Sequence, residues 1–390
     1  MKFPLLQKFK LKPGKTAISL PICAIALAAV SFTACNSGAK TGSTSDTTKG
    51  TATTDTSSAK TLTPKGSKPA WAPNIKPEMA VVIEKLTSYG DKPIETLTAV
   101  QARKNHTPTD AVMAVMKENN IPMPAPKVDT VGKEIPVAGG NIHIRIYTPK
   151  EGKAPFPVIV YYHGGGFVIA NIDVYNASAQ AMAEQVGAIV VSVAYRLAPE
   201  HKFPTAHDDA YAAYAWTVKN AASIKGDPKK IAVLGESAGG NLAVATAIKA
   251  RDNGIMLPTH IVSVYPIAQS DTKTDSYMKQ ANDKPLNKPM MIWFTTNYTR
   301  TPADAKDPRL SLVDANLKGL PPTTIITDEY DPLHDDGTKL ADKLKSAGVN
   351  VTSRNYDGVT HEFFGMATVV PQAKEAQAFA AGELKKAFGM

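Results

Sequence analysis

Gly235-Glu236-Ser237-Ala238-Gly239 sets a serine between small residues, directly after an apolar run at 231–234 and directly before a helix-forming run at 241–249. A sharp turn from strand to helix lifts such a serine hydroxyl above a sheet and leaves free N–H groups at the helix start for an anion. That is the chemistry of a nucleophile. His163-Gly164-Gly165-Gly166 ends an earlier apolar run at 158–162. Glycines there leave backbone N–H groups unobstructed, as acyl transfer requires where a tetrahedral oxyanion forms.

A hydroxyl nucleophile needs a base, and the base needs a carboxylate to orient it. Asp331 follows the apolar run 324–327 in Asp328-Glu329-Tyr330-Asp331-Pro332-Leu333, and His361 follows the run 351–355. Of the eight histidines, His106, His143, His201, His207 and His260 lie at positions suited to structural or solvated roles. His334 competes for the role of base, but three residues from Asp331 it flanks that loop rather than reaching Ser237. Ser237, Asp331 and His361 are therefore the expected triad. Met290-Met291-Ile292-Trp293-Phe294 is either part of an acyl pocket or the core of a covering element. Residues 331–337 are acidic but lack the alternating ligand register of an EF-hand loop, so no metal is expected. No cofactor is needed either.

The elements that must position these residues alternate. Met79, Val82, Ile83 and Leu86 repeat at helical spacing, and Val112, Val115 and Met116 share a second helical face that Thr109 or Asp110 could cap. Val131, Ile135 and Val137, then Ile142, Ile144 and Ile146, alternate as a hairpin about Gly139-Gly140-Asn141. Short apolar runs follow at 158–162, 189–193, 231–234, 261–265 and 324–327, with a weaker one at 351–355, separated by helical stretches. That pattern predicts an α/β fold whose mostly parallel sheet is covered on both faces. Residues 268–322 hold too much apolar surface for a plain loop.

Together, His163–Gly166, Tyr195-Arg196-Leu197-Ala198-Pro199-Glu200, Phe203-Pro204 with Asp208, Gly235–Gly240 and Asp331-Pro332-Leu333 resemble the hormone-sensitive-lipase family of esterases. The resemblance spans about residues 75–390. It implies an α/β-hydrolase fold with an eight-stranded sheet, a Ser237–His361–Asp331 triad, and an oxyanion hole from the N–H groups of Gly165, Gly166 and Ala238. It also implies a helical cap from about 71–126 and 268–310 and a small ester as substrate, of short to medium acyl chain. Glu236 stands where many members carry Asp or Thr, and Glu362 stands where Gly is commoner. An amidase on the same triad is the alternative reading. A non-catalytic receptor on this fold would lack a triad member, and all three are present.

The chain has 390 residues, a net charge of +9 and two cysteines, too few for a disulfide framework. Residues 1–35 carry five lysines and no acid, followed by an apolar run ending in Phe32-Thr33-Ala34-Cys35. This reads as a lipoprotein-type signal with Cys35 as the lipidated residue, and so as export and a membrane tether on the periplasmic or outer side, or alternatively secretion. Residues 36–70, rich in Ser, Thr, Gly and Lys, read as a flexible tether. Those two segments hold +5 and +3, leaving 34 basic against 33 acidic residues in 71–390. A nearly neutral domain without a clustered basic face excludes a nucleic-acid partner. Contact with a membrane is expected only through Cys35. Gly14-Lys15-Thr16 ends like a phosphate loop, but Phe9 occupies the first glycine position.

Overall fold

The computed structural model describes residues 62–390; the expected signal, Cys35 and the tether up to residue 61 lie outside the described residues. The chain opens with helices α1 (Pro77–Ser88), α2 (Ala99–Ala102) and α3 (Pro108–Asn119). Strands β1 (Val128–Val137), β2 (Gly140–Pro149) and β3 (Phe156–Tyr162) follow. Helix α4 (Asn176–Val186), β4 (Ile189–Ala194), α5 (Thr205–Asn220), β5 (Gly226–Glu236), α6 (Ala238–Asp252) and β6 (Ile261–Val264) then alternate. The segment after β6 contains α7 (Asp275–Lys279) and α8 (Lys288–Tyr298). The chain closes with β7 (Thr323–Tyr330), α9 (His334–Ser346), β8 (Val351–Thr360) and α10 (Pro371–Phe388).

The eight strands form one sheet in the order β1-β2-β4-β3-β5-β6-β7-β8. Strand β2 runs antiparallel to β1 and β4, and every pair from β4 through β8 is parallel. The reason is visible in β3. Val158, Val160 and Tyr162 enter the apolar cluster on one face, and Ile159 and Tyr161 enter the cluster on the other. Alternate side chains of a strand point to opposite faces, so a run apolar at every position must be covered twice. Helices α5, α6 and α9 supply Ala206, Leu242 and Leu340 to the first cluster, and α4 and α10 supply Met182 and Phe388 to the second. Each Val, Ile or Leu so enclosed contributes roughly 1.5–3 kcal/mol.

Three local expectations are corrected. Helix α3 is capped by Thr107, whose hydroxyl accepts from the Asp110 N–H while the Asp110 carboxylate accepts from the Thr107 N–H. Pro108 takes the first helical position, where its missing N–H costs nothing, and that sets the cap before the Thr109-Asp110 pair. The β1–β2 turn is Ala138-Gly139, because Gly140 already pairs with Val137. Packed chain also begins before Trp71: Leu62 is buried, and the N–H groups of Lys65 and Gly66 donate to Glu84 at 2.9 and 2.7 Å. Leu62 is the single large aliphatic residue in an otherwise Ser/Thr-rich stretch, and the composition of the stretch hides it.

Candidate active site

Ser237 occupies the turn between β5 and α6 with φ +56° and ψ −116°, a conformation that a residue with a side chain rarely adopts. Its neighbours make the turn possible. A Cβ on Gly239 would lie 2.0 Å from the Tyr162 carbonyl oxygen at the end of β3, so only glycine fits there. The Ser237 N–H donates to the Val264 carbonyl of β6 and fixes the turn to the sheet.

The ends of three strands bring the expected triad together. His361, after β8, places Nε2 2.9 Å from Ser237 Oγ and Nδ1 2.6 Å from Asp331 Oδ2. Asp331, after β7, also accepts from the Leu333 N–H at 2.8 Å. With its proton on Nδ1, the ring donates to Asp331 and accepts from the serine hydroxyl. Burial opposes charge on the imidazole, but Asp331, with Glu362 and Glu236 nearby, outweighs it and raises the proton affinity of His361 above its ordinary value. His334 does not compete: its Nδ1 faces the Asp328 carbonyl at 2.9 Å.

The loop after β3 stands against the same serine. Gly165 and Gly166 have φ +95° and +58°. A Cβ on Gly166 would lie 2.3 Å from the Phe294 ring. Among the described residues, no hydrogen bond uses the N–H of Gly165, Gly166 or Ala238. All three are thus free to donate to an oxyanion. His163 braces this loop from beneath. Its Nδ1 lies 2.8 Å from the Gly164 carbonyl, its ring stacks on Tyr195 at 4.2 Å, and burial pushes it down to about 4, so it is neutral. The Tyr195–Glu200 and Asp208/Asp209 groups also brace. Arg196 forks onto Asp209, Arg103 onto Glu200, and Lys249 meets Asp208.

A cavity of about 530 Å³ opens over Ser237 and His361. Its walls come from both helical segments, including Leu86, Ile94 and Arg103 from the first and Leu286, Met290 and Phe294 from the second. The run 290–294 is divided between cavity and cap. Met290, Met291 and Phe294 line the cavity, while the Trp293 Nε1–H donates to the Leu97 carbonyl and ties the two segments together. A smaller cavity of about 170 Å³ shares Gly166, Ile267, Met291 and Phe294 with the first.

Sequence reasoning missed the polar layer behind the triad. Glu236 is fully buried and accepts from Tyr161 and Tyr265, both at 2.5 Å, and burial pushes it up to about 7 against the effect of those two donors. Tyr175 donates to Glu362, whose carboxylate lies 4.0 Å from His361 Nε2 and lines the cavity. These tyrosines sit on unrelated elements, and no local motif joins them to the triad.

A sheet of this order, with a serine on its β5 elbow and an acid and a histidine after β7 and β8, is the architecture of an α/β-hydrolase. Residues 159–365 match the family described as alpha/beta hydrolase fold. The carboxylesterase NlhH of Mycobacterium tuberculosis is 39% identical over 251 residues, covering 63% of this chain and 79% of the relative. An ethyl acetate hydrolase of Pseudomonas putida is 34% identical, covering 61% and 76%. Among solved structures, an esterase of Pyrobaculum calidifontis superposes with a TM-score of 0.71 at 36% identity, covering 80% of this chain and 98% of its own. The chain belongs to the α/β-hydrolase family, in its hormone-sensitive-lipase-like esterase branch.

Proposed function

We propose that the chain hydrolyses carboxylic esters through an acyl-enzyme on Ser237. The observation that carries this is the continuous path from Ser237 Oγ through His361 to Asp331, opening into an apolar-walled cavity. His361 takes the serine proton at Nε2 as Oγ attacks the ester carbonyl. Asp331 fixes the tautomer and stabilises the imidazolium. The N–H groups of Gly165, Gly166 and Ala238 receive the oxyanion, and losing one such donor costs about 3 kcal/mol in comparable sites. His361 then protonates the leaving alcohol, and water repeats the sequence on the acyl-enzyme.

Helices α1–α3 and the segment around α8 act as the cap, and Leu86, Ile94, Leu286 and Met290 in the cavity wall offer an apolar surface for a short to medium acyl chain. Ser237→Ala should lower turnover of a short p-nitrophenyl ester by more than about 10³-fold and remove labelling by an organophosphate. Retained turnover would sink the assignment.

The export reading rests on residues 1–35 alone. It places the enzyme on a membrane through an acyl group at Cys35. Mass spectrometry of the N-terminal peptide from the native host should find a lipidated Cys35 as the first residue, and an unmodified Cys35 within a longer peptide would reject this.

A further inference from the structure

Asp328 lies near the end of β7, three residues before Asp331, with its side chain fully buried. Neither carboxyl oxygen has a hydrogen-bond partner among the described residues. An oxygen of Asp328, an oxygen of Asp331 and a ring nitrogen of His361 all lie within 4.8 Å of one another. Asp331 is already committed as an acceptor, from the His361 ring N–H and from the Leu333 N–H. Two acceptor-only carboxylates in such a dry corner would repel, and a buried charge without a partner costs several kcal/mol. A proton on Asp328 removes both penalties and turns it into a donor, and the Asp331 carboxylate, with an oxygen within 4.8 Å and lone pairs to spare, can accept from it.

We propose that Asp328 is a positioning residue of the triad, held as a neutral carboxylic acid whose O–H donates to the Asp331 carboxylate that orients His361. The inference rests on the triad assigned above. The surroundings agree. Asp331 on the same strand end, Glu362 after β8 and Asp283 from the segment before α8 are all acidic and face this corner. His361 and His334 are the nearby bases. His361 is turned to Asp331, and His334 takes the main-chain carbonyl of Asp328 rather than its side chain. Burial and the neighbouring Asp331 push Asp328 well above the usual carboxylate range. The donor does to Asp331 what a backbone N–H does to an N-cap carboxylate. It holds one rotamer and draws off part of the charge, so Asp331 supports the imidazolium less strongly than it would alone.

Two measurements on the full chain test this. The first is an infrared difference spectrum of wild type against Asp328→Asn, at the pH of full activity. The expected result is loss of the carbonyl band of a protonated carboxylic acid. Loss of carboxylate bands instead would overturn the proposal, whatever the enzyme's activity. The second is the pH profile of kcat/KM for a short p-nitrophenyl ester. Asp328→Asn keeps a donor and no charge, so its acid limb should coincide with that of wild type. Asp328→Ala removes the donor, and its acid limb should move up by about half a pH unit with kcat/KM several-fold lower. An ionised Asp328 predicts the opposite sign, with both variants moving the limb down, and that outcome rejects the idea. If Asp328→Ala does not fold, the infrared comparison and the Asn profile decide alone. Failure of the triad itself would appear separately, as turnover surviving in Ser237→Ala.

Discussion

The ring of Tyr265 lies 4.6 Å from the imidazole of His361, tilted by 50°, and its hydroxyl reaches past the triad to Glu236. One side chain therefore supports the base by packing and the residue beside the nucleophile by hydrogen bonding. The triad and the carboxylate layer behind it are mechanically one unit, and several expected outcomes follow from that layering.

The general base must be neutral to act. Asp331 raises the proton affinity of His361, so the acid limb of kcat/KM should lie above the ordinary imidazole value of 6.5. Asp331→Asn removes the charge and leaves burial, which pulls the other way. The limb should then move to lower pH while the rate falls by roughly 10⁴-fold through the wrong tautomer. An unchanged limb in this variant would show that Asp331 does not govern the base.

Glu236 is raised from an ordinary 4.5 to about 7 by burial. The folded state thus holds this proton more tightly than the unfolded chain. Its contribution to stability is complete below the ordinary value, declines as pH rises towards about 7, and is gone beyond it. Glu236→Gln should flatten that part of the stability–pH curve, a span on the order of 3 kcal/mol. Urea midpoints measured across the same pH range check this, and parallel curves for the two proteins would contradict it.

Phe294 forms part of the wall between the catalytic cavity and the smaller one. Phe294→Ala should join about 170 Å³ to the catalytic cavity and move the optimum of an acyl-chain series towards longer esters. The same change should cost about 3 kcal/mol of stability through lost packing. A chain-length profile identical to wild type would show that acyl groups do not reach this wall.

Asp209 is buried and accepts three hydrogen bonds from Arg196, one from its backbone and two from its guanidinium. Asp209→Ala strands a cation that is itself mostly covered, at a cost of about 3 kcal/mol. Denaturation curves should show that loss, while kcat per titrated active serine stays close to wild type. A collapse of kcat with stability intact would mean the pair does more than brace the turn.

Strands β3, β4 and β6 were legible because each is apolar at nearly every position, and a twice-covered strand leaves that mark whatever its neighbours are, whereas β8 left a fainter one because Thr352, Ser353, Arg354 and Asn355 are polar and exposed. Ser237, Asp331 and His361 were legible because strand ends carry them in a recognisable chain order. What stayed hidden depends on distance in space. Glu236 meets Tyr161 and Tyr265 from β3 and from the end of β6, and Asp328 gains its meaning only from Asp331 and His361. Leu62 was hidden for the opposite reason, as one residue averaged away by the Ser, Thr, Gly and Lys around it.

Strand β6 carries none of the three reacting side chains, yet it separates β5 from β7 and receives the Ser237 N–H through Val264. A slip of β6 against either neighbour would carry Ser237 away from Asp331 and His361 even if every residue were intact. Ester turnover is consequently a readout of strand alignment as much as of chemistry. During refolding, the first released p-nitrophenolate would time the moment at which the carboxyl-terminal half of the sheet locks into register.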